Sequence, residues 1–284
     1  MAKDIVVGVD GTEQADAAAA WAADEAVLRD TGVRLVHAKE AWPESVSPHG
    51  LRESEGPWAE ELLARTADRL RVRHPGLPVS VGLLATGPVA GLVAAGEEGE
   101  LLVLGSRALG GVAGYLVGSV GLAVAGVVER PVVLVRDLGG HRSRGSVTVG
   151  VDVRHPADAV VEFAFEEAAR RLGSVDVVHG ERLPLSAVLG PPMVPDIRPA
   201  MTTDTAGFLE ELLAPWRAKY PDVTATAHVV MGSAGLELVR FSSDAALVVV
   251  GRRTRRSPLG SRLGSVAHAV LHHSRAPVAV VPHG

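Results

Sequence analysis

The sequence predicts an α/β protein built from two tandem, doubly wound, five-stranded parallel-sheet domains. Three observations predict it. The same pattern of apolar runs and glycines occurs twice in the same order. Within each copy, short apolar runs without polar alternation are separated by helix-like segments, as in a parallel sheet covered on both faces. The chain has 284 residues, 47% of them hydrophobic, enough for two cores of ordinary size.

The repeat is read from six matched segments. VVGVD ending at Asp10 returns as TVGVD ending at Asp152, and LVHA at 35–38 returns as VVHG at 177–180, both offset by 142. EELL at Glu60–Leu63 returns at Glu210–Leu213, offset by 150. LVLG ending at Gly105, LVGSV at 116–120 and RPVVLV at 130–135 return as VVVG, RLGSV and APVAVV, each offset by 146. The drift in offset marks insertions and deletions in loops. The polar, glycine-rich stretch 137–145, DLGGHRSRG, reads as a linker. The domains are therefore expected at 1–136 and 146–284.

One copy is read in order. Ile5–Val9 is a buried strand. Thr12 can cap a helix through the alanine-rich Ala15–Leu28, with Glu13 and Asp16 near its positive end. Val33–Ala38 is a second strand, and Glu60–Val72 has apolar residues at helical spacing. Val79–Leu84 is a third strand, followed by a short helix at Pro88–Ala95. Leu101–Leu104 is a fourth strand, Ser119–Val128 a helix and Val132–Val135 a fifth strand. The last strand is short, apolar and preceded by Pro131, with Pro277 in the second copy. Such an edge invites pairing. An internal pseudo-dimer of the two domains is expected, with a homodimer as its intermolecular counterpart. A distance restraint between Val133 and Val278 tests it.

Composition narrows the function. Charged residues are 21%, the net charge is −5 and aromatics are 4%, so neither a nucleic-acid surface nor a base-stacking platform is expected. Cysteine is absent, which excludes disulfides and thiolate chemistry, and no signal-peptide core opens the chain, so a cytoplasmic location is expected. The uncharged run 108–128 is long enough to span a bilayer. Its glycines argue against a membrane span, as do Arg255, Arg256, Arg262, His268 and His272 in the matching stretch. No G-x-x-x-x-G-K-[ST], G-x-S-x-G or H-E-x-x-H pattern occurs, and no paired acid and base marks the crevice. No catalytic residue, no metal site and no enzyme activity beyond weak ATP hydrolysis are expected.

In open parallel sheets ligands sit at the carboxyl ends of the strands. Asp10, Ala38 and Gly105 end three strands of the first copy; Asp152, Gly180 and Gly251 end those of the second. After the fourth strand, a glycine loop closes at Gly118–Ser119, and in the second copy at Gly264–Ser265. Such a loop lets backbone N–H groups approach phosphate oxygens, and a helix N-terminus favours the anion. A carboxylate at the first strand end can accept from ribose hydroxyls. His37 and His179 follow apolar strands and read as packed, satisfied histidines. His268 and His272 stand i, i+4 without a third ligand. Trp58 and Trp216 read as packing residues. The loops Trp42–Pro57 and Glu181–Thr205 read as mobile, with a lid as their conjectured use.

With these residues in place, the chain resembles the universal stress protein family in its tandem, two-domain form, over nearly its whole length. The family's loop motif is G, two residues, G, nine residues, then G and S or T. The copies read Gly105, Ala108, Gly118, Ser119 and Gly251, Thr254, Gly264, Ser265. The resemblance implies the family's fold, which is similar to that of the adenine nucleotide alpha hydrolases. It also implies an ATP site, with Mg2+ as a companion ion. It implies ribose or adenine contact at Asp10 and Asp152, and the adenine edge at Ala38 and Gly180. Phosphate contact is implied at Gly105, Gly118, Ser119, Gly251, Gly264 and Ser265, and close approach at Gly8 and Gly150. Ser106, Arg107, Arg252 and Arg253 join the expected site, although the arginines of the second loop fit a solvated face equally well.

Three departures stand out. Ala108 and Thr254 replace the middle glycine, which is unfavourable if φ is positive there. Arg154 stands where the first copy has Thr12. The leading expectation is an adenine-nucleotide-binding stress regulator. The alternatives are a nucleotide-independent interaction scaffold and a slow ATP hydrolase.

Overall fold

The computed structural model describes residues 3–38, 49–106, 118–136, 145–181, 198–254 and 263–284, with residues 49–55 and 198–201 as backbone only. It divides into two units, Met1–Ser143 and Arg144–Gly284. In the first unit the order is β1 (Ile5–Gly8), α1 (Glu13–Arg29), β2 (Val33–Ala38), α2 (His49–Arg73), β3 (Val79–Leu84), α3 (Pro88–Glu98), β4 (Leu101–Gly105), α4 (Ser119–Ala125) and β5 (Val132–Val135). In the second it is β6 (Val147–Gly150), α5 (Asp158–Arg170), β7 (Ser174–Glu181), α6 (Arg198–Lys219), β8 (Thr224–Met231), α7 (Ala234–Phe241), β9 (Leu247–Arg253), α8 (Ser265–His273) and β10 (Val278–His283).

Each unit's strands are parallel, ordered 3-2-1-4-5 in the first and 8-7-6-9-10 in the second. The order reverses between β1 and β4, and again between β6 and β9. Connections leave these paired strands in opposite directions, which opens a crevice at their carboxyl ends. Asp10 and Gly105 flank the first reversal, Asp152 and Gly251 the second.

The elements form for local reasons. The strands beside the reversal are buried on both faces: Ile5, Leu101 and Leu102 in the first unit, Val147 and Leu247 in the second. Each fully buried large side chain contributes roughly 1.5–3 kcal/mol. Thr12 caps α1 from extended backbone, its hydroxyl accepting from the Ala15 N–H at 3.3 Å. The two first helices end alike. Thr31 N–H donates to the Ala26 carbonyl at 3.0 Å, and Gly173 N–H to the Ala168 carbonyl at 2.9 Å. Between each pair stands a left-handed residue, Asp30 or Leu172, both at φ 52°. This is a Schellman ending, repeated at the same offset of 142.

The sequence places a loop through Trp42–Pro57 and through Glu181–Thr205. Both readings need correction where the residues are described. Residues 49–57 are the start of α2, residues 198–205 the start of α6, and Glu181 ends β7. Pro57 sits inside α2 and Pro215 inside α6. The remainder of both stretches lies outside the described residues, as do residues 137–144 of the linker 137–145 and residues 107–117. Among the described residues no helix is long and apolar enough to cross a membrane.

Candidate functional site

The first unit's crevice begins with Asp10. Its Oδ1 accepts from the Thr12 backbone N–H at 3.1 Å and from the Thr12 hydroxyl at 2.6 Å. Thr12 therefore does two things: it orients the carboxylate and caps α1. Gly11, between them, needs its glycine, since φ is +81°. His37 at the end of β2 is buried, and its Nδ1 lies 2.7 Å from the Val9 carbonyl oxygen. That bond ties β2 to the β1–α1 loop and is the packed, satisfied state expected of this histidine.

Trp58 of α2 meets the His37 ring edge-on, with centroids 5.5 Å apart. A side chain added at Gly11 would meet its indole at 3.2 Å. Trp58 is nonetheless 45% exposed. It packs as expected, but at the rim of the crevice. The helical spacing did not reveal this, because α2 begins eleven residues before the helix read from the sequence.

Gly105 ends β4 against α1. A Cβ there would lie 2.6 Å from the Gln14 backbone, so glycine lets the first turn of α1 close on the strand end. At Gly8 a Cβ would run into Leu104 at 2.6 Å and Leu92 at 3.0 Å. Packing against β4 and α3 accounts for that glycine without a ligand. Ser106 is buried, and its hydroxyl has no hydrogen-bond partner among the described residues. Gly118 caps α4 with extended backbone, no side-chain bond and open space on its Cβ side, and Ser119 opens the helix. Arg107 and Ala108 lie outside the described residues.

In the second unit the strand ends enclose a cleft of about 560 Å³, within the range of small-molecule sites. Gly150, Asp152, Gly180, Gly251, Arg253 and Gly264 all line it, from segments far apart in sequence. Arg252 does not line it. Successive strand residues face opposite sides, so Gly251 and Arg253 face the cleft while Arg252 is buried. Gly264 begins α8 with extended backbone and no side-chain cap, and Ser265 follows it. At Gly180 a Cβ would lie 2.7 Å from the Ala234 backbone, so α7 begins hard against this strand end.

Thr254 takes an ordinary solution to the missing glycine. It is not among the positive-φ residues, and both its N–H and its hydroxyl donate to the His283 carbonyl, at 2.7 and 2.9 Å. The threonine therefore sits without left-handed strain.

Charge in the cleft is organised around two carboxylates. Asp152 accepts from the Arg154 backbone N–H at 3.0 Å and faces His155 Nδ1 at 3.2 Å. Burial pushes its carboxyl up. The Arg154 N–H, the His155 ring and the nearby His155 and His179 charges outweigh burial and hold it below the usual carboxylate value. Glu181 is the residue that reading the sequence for a site missed. It is buried, its Oε1 accepts from the Arg154 guanidinium at 2.9 Å, and its Oε2 accepts from the Thr205 hydroxyl at 2.8 Å. His179 Nδ1 bonds the Val151 carbonyl at 2.9 Å, repeating His37, while its Nε2 lies 3.6 Å from Glu181. The signal was available: a charged residue directly after an apolar strand. It lay within what the sequence presents as a loop.

The His268 and His272 rings stack at 5.5 Å on α8, with ring nitrogens 3.4 Å apart. Among the described residues no three His, Asp or Glu side chains gather as a metal would require.

Comparison with known proteins gives a consistent answer. The model of the universal stress protein family matches twice, over residues 1–136 and 144–282. Universal stress protein Rv2005c of Mycobacterium tuberculosis is 32% identical, over 97% of this chain and 96% of its own. Universal stress protein Rv2623 of the same organism is 31% identical, over 97% and 95%. Among solved structures, a universal stress protein from Archaeoglobus fulgidus superposes with a TM-score of 0.74 at 19% identity, covering 99% of this chain and 98% of that one.

Proposed function

Since the chain belongs to the universal stress protein family, we propose that it binds an adenine nucleotide, ATP foremost, and acts as a stress-response regulator through binding. The observation that carries this reading is the second unit's cleft. A carboxylate (Asp152), two glycine strand ends (Gly180, Gly251) and a glycine-started helix (Gly264) meet there, at the point where the strand order reverses. The Asp152 carboxyl is held below its ordinary value, which favours the charged form, the stronger acceptor for ribose hydroxyls. The α8 N-terminus supplies unshared N–H groups for phosphate. Mg2+ would arrive on the phosphates, since such ions keep most of their water and need few protein ligands. In the first unit Asp10, Ala38, Gly105 and Gly118 would play the matching parts. A cytoplasmic site of action belongs to the same proposal.

Equilibrium dialysis with ATP and AMP tests it. Retention of nucleotide at up to millimolar concentration is expected, and mass spectrometry of the natively purified protein should find nucleotide bound. Retention of neither ATP nor AMP sinks the proposal. A second reading, an interaction scaffold without nucleotide, draws on one observation: Arg154 and Glu181 are paired inside the second cleft.

A further inference from the structure

We propose that Arg154 and Glu181 form a clasp across the base end of the second crevice, which lowers its nucleotide affinity below that of an otherwise equivalent site. This rests on the nucleotide reading above. Arg154 stands two residues beyond Asp152, and Glu181 directly follows Gly180. The strand ends assigned to ribose and to the base edge are thus joined by an ion pair, Arg154 Nη2 to Glu181 Oε1 at 2.9 Å.

The clasp is anchored at both ends. The Glu181 side chain is 4% exposed, and the Thr205 hydroxyl holds its second oxygen at 2.8 Å. The Arg154 backbone is fixed by Asp152 at 3.0 Å. The Arg154 side chain is 68% exposed, so the guanidinium reaches over the mouth to a buried acceptor. Both residues line the cleft that contains Gly251 and Gly264. A nucleotide that lies along Asp152 and Gly180 must displace this pair. It then leaves a buried carboxylate without its cation, which is costly.

The first copy cannot make this bridge. The residue matching Arg154 is Thr12, which is uncharged. Its hydroxyl is spent on Asp10 and on the α1 cap. The residue matching Glu181 is Lys39, outside the described residues, and no ion pair with a threonine is available to it.

The test is isothermal titration of the full chain with ATP, comparing wild type with Arg154→Thr, Glu181→Gln and Arg154→Lys. Arg154→Thr supplies the first copy's residue. Glu181→Gln keeps the shape and the Thr205 bond but removes the charge. Either should tighten the second site by about tenfold or more, the scale of one charge-assisted hydrogen bond. Arg154→Lys, which preserves the pair, should stay near wild type. Circular dichroism melts identify a variant that is merely unfolded, and the second neutralising variant then decides. If wild type already binds two equivalent nucleotides, or neither neutralising variant tightens binding while the first site remains active, the clasp is overturned. If wild type and every variant bind no ATP, and dialysis finds no AMP retained either, the nucleotide reading itself is overturned.

Discussion

The two crevices share a frame and differ in what fills it. At the first, an aspartate is held by the threonine two residues on, and that threonine caps the next helix. At the second, an arginine occupies the threonine's place and reaches across to a glutamate, while the helix starts after Ala157 with no side-chain cap. A histidine bonded to a strand-end carbonyl and the Schellman ending of the first helix are the same in both. Duplication thus preserved the parts that set the strand ends in position. The side chains beside the shared aspartate and glycines diverged, Thr12 against Arg154 and Lys39 against Glu181.

Moving residues between copies tests how far the frame is interchangeable. The largest effect is expected at Phe165, which is fully buried and packs at 5.7 Å from Tyr220 and 6.2 Å from Trp216. Its counterpart is Ala23, and Trp216 and Tyr220 answer to Thr66 and Leu70, so the first copy fills this layer without aromatics and the second with them. Phe165→Ala should destabilise the second unit by about 3–5 kcal/mol in urea unfolding. A loss below about 1 kcal/mol would mean that the aromatic layer collapses freely and the copies are more alike than their side chains indicate.

Gly180→Ala comes next. Alanine is the first copy's residue there, Ala38, yet in the second unit its methyl would stand 2.5 Å from the Ala234 side chain and 2.7 Å from that residue's backbone. Overpacking of this kind costs about 1–3 kcal/mol. Unchanged stability would show that α7 can retreat, and that the tight seat of this helix is not a fixed difference between the copies.

These exchanges also show what the sequence made legible. The strands β2, β3 and β5 could be bounded to the residue, because continuous apolar runs between polar punctuation leave little choice. The crevice was legible because strand-end glycines and aspartates recur at constant offset. The start of α2 was hidden by Pro57 and by the polar residues before it, which carry no apolar stripe at helical spacing. Glu181 was hidden for a different reason. Its partners Arg154 and Thr205 lie 27 and 24 residues away, and only folding brings them together. Arg252 was misread because the sequence treats consecutive arginines as one cluster, whereas a strand sends them to opposite faces.

A smaller effect should separate the copies by pH. Asp24 of α1 bonds Arg73 at 2.8 Å and His74 at 2.6 Å, tying α1 to the end of α2. Its counterpart Glu166 pairs within its own helix, with Arg170. Burial raises the Asp24 pKa, but the hydrogen bonds and charges of Arg73 and His74 overcome it, and the net direction is below the ordinary 3.8. A depressed carboxylate contributes stability above its unfolded pKa and loses it as pH falls through the folded one. Asp24→Asn should therefore cost up to about 1 kcal/mol near neutral pH, the half-exposed Arg73 being screened. The difference from wild type should shrink as pH falls below the ordinary carboxylate value and vanish only below the depressed folded one. A pH-independent difference would assign the effect to something other than this carboxylate's charge.

The smallest effect tests the most faithfully repeated feature. Asp30 and Leu172 hold the same φ of 52° at the same point of the Schellman ending. Aspartate tolerates this region better than leucine, because its short polar side chain can bond locally. Leu172 is 87% exposed, so its side chain gains almost no burial to offset the strain. Leu172→Gly should stabilise the second unit by about 0.5–1 kcal/mol, and Leu172→Asp by less, read as a rise in thermal midpoint. Glycine's larger unfolded-state entropy opposes part of the gain. A fall in midpoint with either variant would mean that Leu172 serves a contact beyond its own unit's helix end. The identical endings would then conceal a functional difference between the copies.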